Sequence, residues 1–138
     1  MRATLVTDTS VVYAALNRDE RHHSRCAEAL AAAAAVILPA PVITETTMIS
    51  QSRGYLRAAD ALLQSVLDGT VVAVDLGWTE YSRARELMAL YSGLPLGFVD
   101  ASIVAVAERL EETTIATLDR RHFSVVRPLH CEAFTLVP

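Results

Sequence analysis

Short apolar segments typical of strands alternate with longer helical segments along this chain, and no other feature constrains the fold as strongly. Continuous apolar runs separated by helices indicate a mainly parallel sheet that is covered on both faces. We therefore predict a three-layer α/β fold with five strands, forming a single domain over residues 1–138. The predicted strands are ATLVT (3–7), VILPA (36–40), the segment within DGTVVAVD (68–75), TTIAT (113–117) and, more weakly, EAFTLV (132–137).

Helical patterns fill the intervals between these strands. Proline is well placed in the first turn of a helix, and Pro41 predicts such a start. The polar segment LDRRHF (118–123) is predicted to be a turn, with His122 in it as a surface residue and a secondary candidate for contacting substrate. The predicted helices are 9–16, 24–35, 41–53, 55–67, 78–91 and 99–110.

Composition narrows the class of protein. The chain is 52% hydrophobic and 20% charged, which excludes a disordered protein. Two cysteines are too few for a disulfide scaffold and predict reduced thiols in the cytoplasm. The most apolar stretch, residues 29–43, contains two prolines and is shorter than the roughly 20 residues that a membrane span needs. We expect no membrane association and no export signal.

The charged residues exclude some chemistries. The net charge of −4 gives the chain no global attraction for nucleic acid. All twelve basic residues are arginines, so a mechanism that requires a catalytic lysine is excluded. The serines lack the sequence context of an activated nucleophile, because no G-x-S-x-G motif is present.

Two acidic residues directly follow predicted strands. Asp8 comes after the first strand, in LVTDTS, and Asp119 comes after the fourth, in IATLDRRHF. In a parallel sheet both would lie at the carboxyl edge, where such folds bind ligands. Each residue taken alone is equally typical of a turn or a helix N-cap.

Two further acids lie in apolar surroundings near helix starts. Glu45, in PAPVITETTMIS, falls on the apolar stripe of its helix, three residues after Val42. Asp100, in GFVDASIVAVAE, begins a helix that is apolar on several sides. A carboxylate in such a place is costly unless it is paired or binds a metal, although Asp100 could cap its helix and Glu45 could reach solvent.

Four carboxylates gathered at one edge would repel one another, and a hard divalent cation would resolve that repulsion. Mg²⁺ and Mn²⁺ prefer oxygen ligands. We predict that Asp8 and Asp100 bind such an ion directly. Asp119 and Glu45 would act through water, at a second ion or on the attacking water. Because no side-chain nucleophile is evident, water activated by the metal is the predicted attacking group.

Four segments occur in order along the chain: TDTSVVYAAL, the Glu45 helix, GFVDASIVAVAE and TIATLDRRHF. This ordered set resembles the PIN-domain family, and within it the VapC ribonuclease toxins of bacterial toxin–antitoxin pairs. The resemblance spans nearly the whole chain. It implies a sheet of order 3-2-1-4-5 and places the acidic quartet on Asp8, Glu45, Asp100 and Asp119. Some members carry a further acid where this chain has Arg121, which leaves a second metal position open.

The resemblance also implies supporting residues, a reaction and partners. Ser10 and Thr117 match the hydroxyl residues that support the site. The implied reaction is endonucleolytic cleavage of RNA that leaves a 5′-phosphate and a 3′-hydroxyl. The implied partners are a cognate VapB-like antitoxin, which would lie along the Ala-rich helices and the apolar residues of SVVYAAL, and a second toxin in a homodimer or toxin–antitoxin hetero-oligomer.

Arginines around an acidic site could hold the phosphates of RNA. Arg120 and Arg121 are the candidates closest in sequence to a predicted ligand, and Arg53 and Arg57 are further candidates. For any single one of them, a solvated surface charge is the alternative.

Three alternative functions stay open from the sequence. A receiver domain also places acids at strand ends near Mg²⁺, but such domains use a lysine, which this chain lacks. An inactive PIN scaffold would have no reason to keep four mutually repelling carboxylates. A housekeeping RNA-processing nuclease would share the site and lack an antitoxin.

Overall fold

The computed structural model describes residues 2–138 and contains a five-stranded sheet with seven α-helices in that range. The sheet has the order β3-β2-β1-β4-β5, and every neighbouring pair is parallel. The predicted fold class and strand order are both confirmed. The elements are β1 (Thr4–Thr7), α1 (Thr9–Leu16), α2 (His23–Ala32), β2 (Ala35–Pro39), α3 (Ala40–Ser52), α4 (Leu56–Leu67), β3 (Val72–Val74), α5 (Trp78–Leu90), α6 (Phe98–Leu110), β4 (Thr114–Ala116), α7 (Arg120–Val125) and β5 (Thr135–Val137).

The path of the chain explains why helices cover both faces of the sheet. It runs outward from β1 through β2 to β3, and then returns to place β4 on the other side of β1. Right-handed crossovers therefore put α1–α4 on one face and α5–α6 on the other. The direction reverses between β1 and β4, and the carboxyl ends of these two strands meet at the topological switch point.

The centre of the core is formed by β1, β2 and α6. Leu5 and Val6 of β1 are buried, as are residues 36–38 of β2. Every residue of α6 from Ala101 to Ala107 is buried, and its small side chains let the helix pack closely against β1 and β2. The part of this helix that carries Asp100 is therefore held rigidly by the core.

Two local predictions needed correction. The Ala-rich helix α2 ends at Ala32, because Ala35 pairs with Thr4 as the first residue of β2; sheet pairing overrides the helix propensity of alanine. Residues 120–125, predicted as part of a turn, form the short helix α7, with Asp119 as its N-cap.

The helices in residues 2–138 include none that is both long and apolar enough to cross a membrane.

Candidate active site

Asp8 lies where β1 ends and α1 begins. It is the N-cap of α1, because its Oδ1 accepts a hydrogen bond from the Val11 backbone N–H at 3.1 Å. The same oxygen accepts the Ser10 hydroxyl at 2.6 Å, and Oδ2 accepts the Thr117 hydroxyl. These three hydrogen bonds fix the side chain, and only 5% of the residue is exposed. Asp8 therefore both caps α1 and lies at the carboxyl edge of the sheet.

Burial is the main influence on the ionisation of Asp8. It raises the pKa of this carboxyl to about 6, while the hydrogen bonds from Ser10, Thr117 and Val11 oppose that rise. The nearby charge of Asp100 raises it further. The carboxylate is therefore ionised at neutral pH at a cost in free energy, and a cation beside it would remove that cost.

The ends of β1 and β4 are linked through two hydroxyl side chains. The Thr117 hydroxyl donates to Asp8 and accepts the Asp119 backbone N–H at 2.9 Å. The Ser10 hydroxyl donates to Asp8 and accepts the Leu118 backbone N–H at 3.1 Å. Ser10 and Thr117 therefore hold Asp8 in register with the segment that carries Asp119.

Asp100 does not cap its helix. The N-cap of α6 is Gly97, and the carboxylate of Asp100 instead accepts a hydrogen bond from His122 Nδ1 at 2.8 Å. Burial raises the pKa of Asp100, the contact with His122 lowers it, and the charges of Asp119 and Glu45 raise it again. Repulsion between like charges therefore links Asp100 with Asp8, Glu45 and Asp119.

His122, which the sequence offered only as a secondary candidate for contacting substrate, contacts two of the predicted acids. Its Nδ1 lies 2.8 Å from Asp100 Oδ2 and 3.6 Å from Asp119 Oδ2. Because an ionised carboxylate only accepts hydrogen bonds, Nδ1 carries the proton. The sequence offered one signal for this contact: His122 follows Asp119 by three residues, a spacing that brings two side chains together only if the segment is helical.

Glu45 approaches the cluster from α3. The residue is half-buried, and it lines a cleft of about 800 Å³ together with the aromatic rings of Tyr81 and Phe98. Its charge reaches Asp100, as the raised pKa of Asp100 indicates. The structure therefore brings all four predicted acids into one neighbourhood, with Asp100 at its centre.

The chemistry of these donors fits a hard divalent cation, since all four are carboxylates at a sheet edge. Within residues 2–138, however, no three His, Cys, Asp or Glu side chains are already arranged to hold a metal ion. The imidazole of His122 lies between Asp100 and Asp119 and occupies that space. Side-chain rotation would be needed for the two carboxylates to converge on one ion.

The two arginines predicted to bind substrate have different surroundings. The Arg120 guanidinium donates to the carbonyl oxygens of Leu136 at 3.2 Å and Pro138 at 2.8 Å, so it contacts the end of β5. The backbone N–H of Arg121 donates to Asp119 Oδ1 at 3.2 Å, and its Nη2 lies 3.5 Å from His122 Nε2. Of these two arginines, Arg121 contacts the acidic cluster, through its backbone N–H to Asp119 and its guanidinium to His122.

A doubly wound parallel sheet with four carboxylates at its switch point defines the class of this protein: an α/β domain with a polyacidic candidate site. The PIN domain family model matches residues 5–128. The chain belongs to the PIN-domain family.

One curated relative and one solved structure are similar to the chain over nearly its full length. The chain is 30% identical over 135 residues to Ribonuclease VapC26 of Mycobacterium tuberculosis, which covers 97% of this chain and 100% of the relative. The crystal structure of Mycobacterium tuberculosis VapC20, described as a sarcin–ricin loop cleaving toxin, superposes with a TM-score of 0.80 at 21% identity. That match covers 93% of this chain and 98% of VapC20, and it shows a shared fold.

Proposed function

We propose that this protein is a divalent-cation-dependent endoribonuclease that acts as the toxin of a toxin–antitoxin pair. The observation that carries the proposal is the acidic cluster at the carboxyl edge, where Asp8 is held at the end of β1 and the charges of Asp119 and Glu45 act on Asp100. The similarity to a VapC ribonuclease over almost the full length of both chains supports it. We also propose that residues 1–138 form a single PIN domain, and that it acts in the cytoplasm, where its RNA substrate would be.

The carboxylates of Asp8 and Asp100 would hold Mg²⁺ or Mn²⁺ directly, with Asp119 and Glu45 completing the site. The bound cation would supply Lewis acidity for attack of water on a phosphodiester, which leaves a 5′-phosphate and a 3′-hydroxyl. Ser10 and Thr117 fix the rotamer of Asp8, and His122 orients Asp100. Arg121, beside Asp119, is the arginine that we retain for contacting a phosphate at the cluster.

The decisive experiment is cleavage of a mixed pool of tRNA, ribosomal RNA and messenger RNA by the purified protein. We expect cleavage with Mg²⁺ or Mn²⁺, none with EDTA, and a loss of at least about a hundredfold in Asp100→Asn. Asp100→Asn should fold normally, because Gly97 and not Asp100 caps α6. Asp60→Asn, the same change on the exposed face of α4, is the matched control. Cleavage by Asp100→Asn at the wild-type rate would refute the proposal.

An antitoxin distinguishes a toxin from a housekeeping nuclease. A groove of about 200 Å³ between α1, α2 and α4 is lined mostly by apolar side chains, including Leu16, Leu30 and Leu62. Of the apolar residues of SVVYAAL that were expected to be partner surface, Val11 to Ala14 are buried in the core, whereas Ala15 and Leu16 line the groove. We assign the antitoxin to this groove. Copurification with the product of a small adjacent gene that encodes a DNA-binding protein would support the assignment.

We assign homodimerisation to a different surface, at the start of α5 and α6. Trp78 is 88% exposed, Tyr81 49% and Phe98 39%. The rings of Tyr81 and Phe98 stack with their centroids 6.1 Å apart. An exposed aromatic cluster is typical of a protein interface, and this one borders the cleft that contains Glu45. A dimer formed here would bring two acidic sites close together.

A further inference from the structure

A second cleft, of about 250 Å³ and lined by several polar side chains, borders the acidic cluster on the side of α1. Ser10 and Leu118 belong to both places: they line the cleft, and the Ser10 hydroxyl also bonds Asp8 and the Leu118 N–H. A molecule that occupied the cleft would therefore extend directly from the carboxylates. The remaining lining includes Tyr13, Glu20, His22 and Arg53.

Arg53 is held in a fixed position at the rim of this cleft. Its guanidinium carbon lies 5.1 Å from the centroid of the Tyr13 ring, in a cation–π arrangement. The Tyr13 ring is itself held, because its hydroxyl accepts the Asn17 side-chain amide at 3.0 Å and its edge packs against Tyr55. Such stacking orients the planar guanidinium in advance, so less entropy is lost when it binds a ligand.

The guanidinium retains donors for a ligand. Glu20 contacts only Nη1, at 3.5 Å, and 57% of the Arg53 side chain is exposed. An arginine has five N–H donors in a fork that matches the oxygens of a phosphate. The Thr9 hydroxyl, which has no hydrogen-bond partner among residues 2–138, also lines the cleft. The Thr9 oxygen is itself buried, so the exposed Arg53 guanidinium is the group that suits the cleft to an anionic occupant.

The cleft that contains Glu45 is lined by different charges. The described residues that line it are mostly apolar, and they include the acids Glu45 and Asp75 but no basic side chain. A phosphate backbone would be repelled there. Arg120 is engaged with the end of β5. Arg53 is therefore the preoriented cation in a cleft that adjoins the carboxylates.

We propose that this cleft binds the phosphate of an RNA nucleotide next to the scissile bond, with Arg53 as a substrate-binding residue. Glu20 competes with that phosphate for the guanidinium, so it weakens the binding of RNA. This inference rests on the proposed function, since it names where the substrate of that site extends.

The test measures binding separately from cleavage. The probe is a fluorescein-labelled, single-stranded 12-nucleotide RNA of mixed sequence, followed by anisotropy in EDTA at several salt concentrations. We expect Arg53→Ala to weaken binding about tenfold and to reduce the slope of log K against log salt by about 0.7, the value for one lost phosphate contact on a single strand. Glu20→Gln should tighten binding. Arg85→Ala, an equal charge change on the exposed face of α5, should change the affinity less than twofold.

Two additional readouts separate substrate binding from a structural role. In cleavage assays with Mg²⁺, Arg53→Ala should raise KM more than it lowers kcat. Arg53→Lys keeps the charge above Tyr13 and loses the planar fork, so its affinity should lie between those of wild type and Arg53→Ala. If Arg53→Ala does not fold, Arg53→Lys and Glu20→Gln decide the question, and wild-type affinity in both would overturn the inference.

The outcomes distinguish this inference from the proposed function. If the wild type cleaves RNA and Arg53→Ala binds RNA as tightly as Arg85→Ala, the cleft does not bind substrate, but the proposed nuclease activity is supported. If RNA binding depends on Arg53 and no RNA is cleaved, the proposed nuclease activity is wrong, but the role of the cleft is supported. Absence of RNA binding by the wild type would overturn the cleft.

Discussion

Replacing Asp8 by Asn should stabilise the metal-free protein at neutral pH. The pKa of Asp8 is raised from 3.8 to about 6, chiefly by burial, so ionisation opposes folding. This destabilisation is absent below pH 3.8, grows as the pH rises through 6, and is complete above that. One pKa unit corresponds to 1.36 kcal/mol, so the full effect is about 3 kcal/mol. Asn at this position can still cap α1 and accept the Ser10 hydroxyl, and its Nδ2 can donate to the Thr117 oxygen while the Thr117 hydroxyl donates to the Asp119 carbonyl, 3.2 Å away.

The assay is urea unfolding of wild type and Asp8→Asn in EDTA between pH 4 and pH 8. Far-UV circular dichroism is the appropriate signal, because the single tryptophan, Trp78, is 88% exposed and would report unfolding poorly. We expect the two proteins to have similar stability near pH 4. At pH 8 Asp8→Asn should be more stable by about 3 kcal/mol, or roughly 10 °C in Tm for a domain of this size.

Two controls test whether the ionisation of Asp8 is the cause of this difference in stability. Asp60→Asn, on an exposed surface, should show no such divergence with pH. Addition of Mg²⁺ should stabilise the wild type and not Asp8→Asn, because a ligand that binds only the folded state adds its binding free energy to the free energy of unfolding. If Asp8→Asn were no more stable than wild type at pH 8 in EDTA, the argument that burial makes this carboxylate costly would be wrong.

Two further changes test the supporting and partner surfaces. Thr117→Val keeps the shape of a buried side chain and removes the donor to Asp8, so the Mg²⁺ concentration for half-maximal cleavage should rise about tenfold. As a control, Thr70→Val, which removes an exposed hydroxyl that bonds Asp68, should leave that Mg²⁺ concentration unchanged. Trp78→Ser should convert the dimer into a monomer, as measured by light scattering, without altering the circular dichroism. Leu129→Ser, an exposed control, should remain dimeric. A dimeric Trp78→Ser protein would contradict the assigned interface.

Much of the fold could be predicted from short-range patterns. Buried strands are continuous apolar runs and helices have their own apolar period, so local sequence predicts where the five strands and six of the seven helices lie along the chain. The order of the strands in the sheet was implied only by the resemblance to the PIN-domain family. α7 could not be recognised in this way. It has only six residues and begins with RRH, so it is too short and too polar for a periodic pattern to emerge.

The acids of the candidate site were also predictable, because a residue that comes within a few positions of the end of a buried strand lies near the carboxyl edge of the sheet. The sequence indicated Asp8 and Asp119 by this rule, and Glu45 and Asp100 by their apolar surroundings. It could not decide whether Asp100 caps a helix. That question depends on where α6 begins, and the structure places its N-cap three residues earlier, at Gly97.

The sequence by itself determined the layered fold and the residues that reach its carboxyl edge, because strand ends and helix periods are set by neighbouring residues. Only the tertiary structure decided what those residues contact. Thr117 meets Asp8 across 109 positions of chain, and His122 meets Asp100 across 22. Arg53 stacks on Tyr13 because α3 packs against α1. Such contacts depend on how whole elements pack together, and no local pattern in the sequence records that packing.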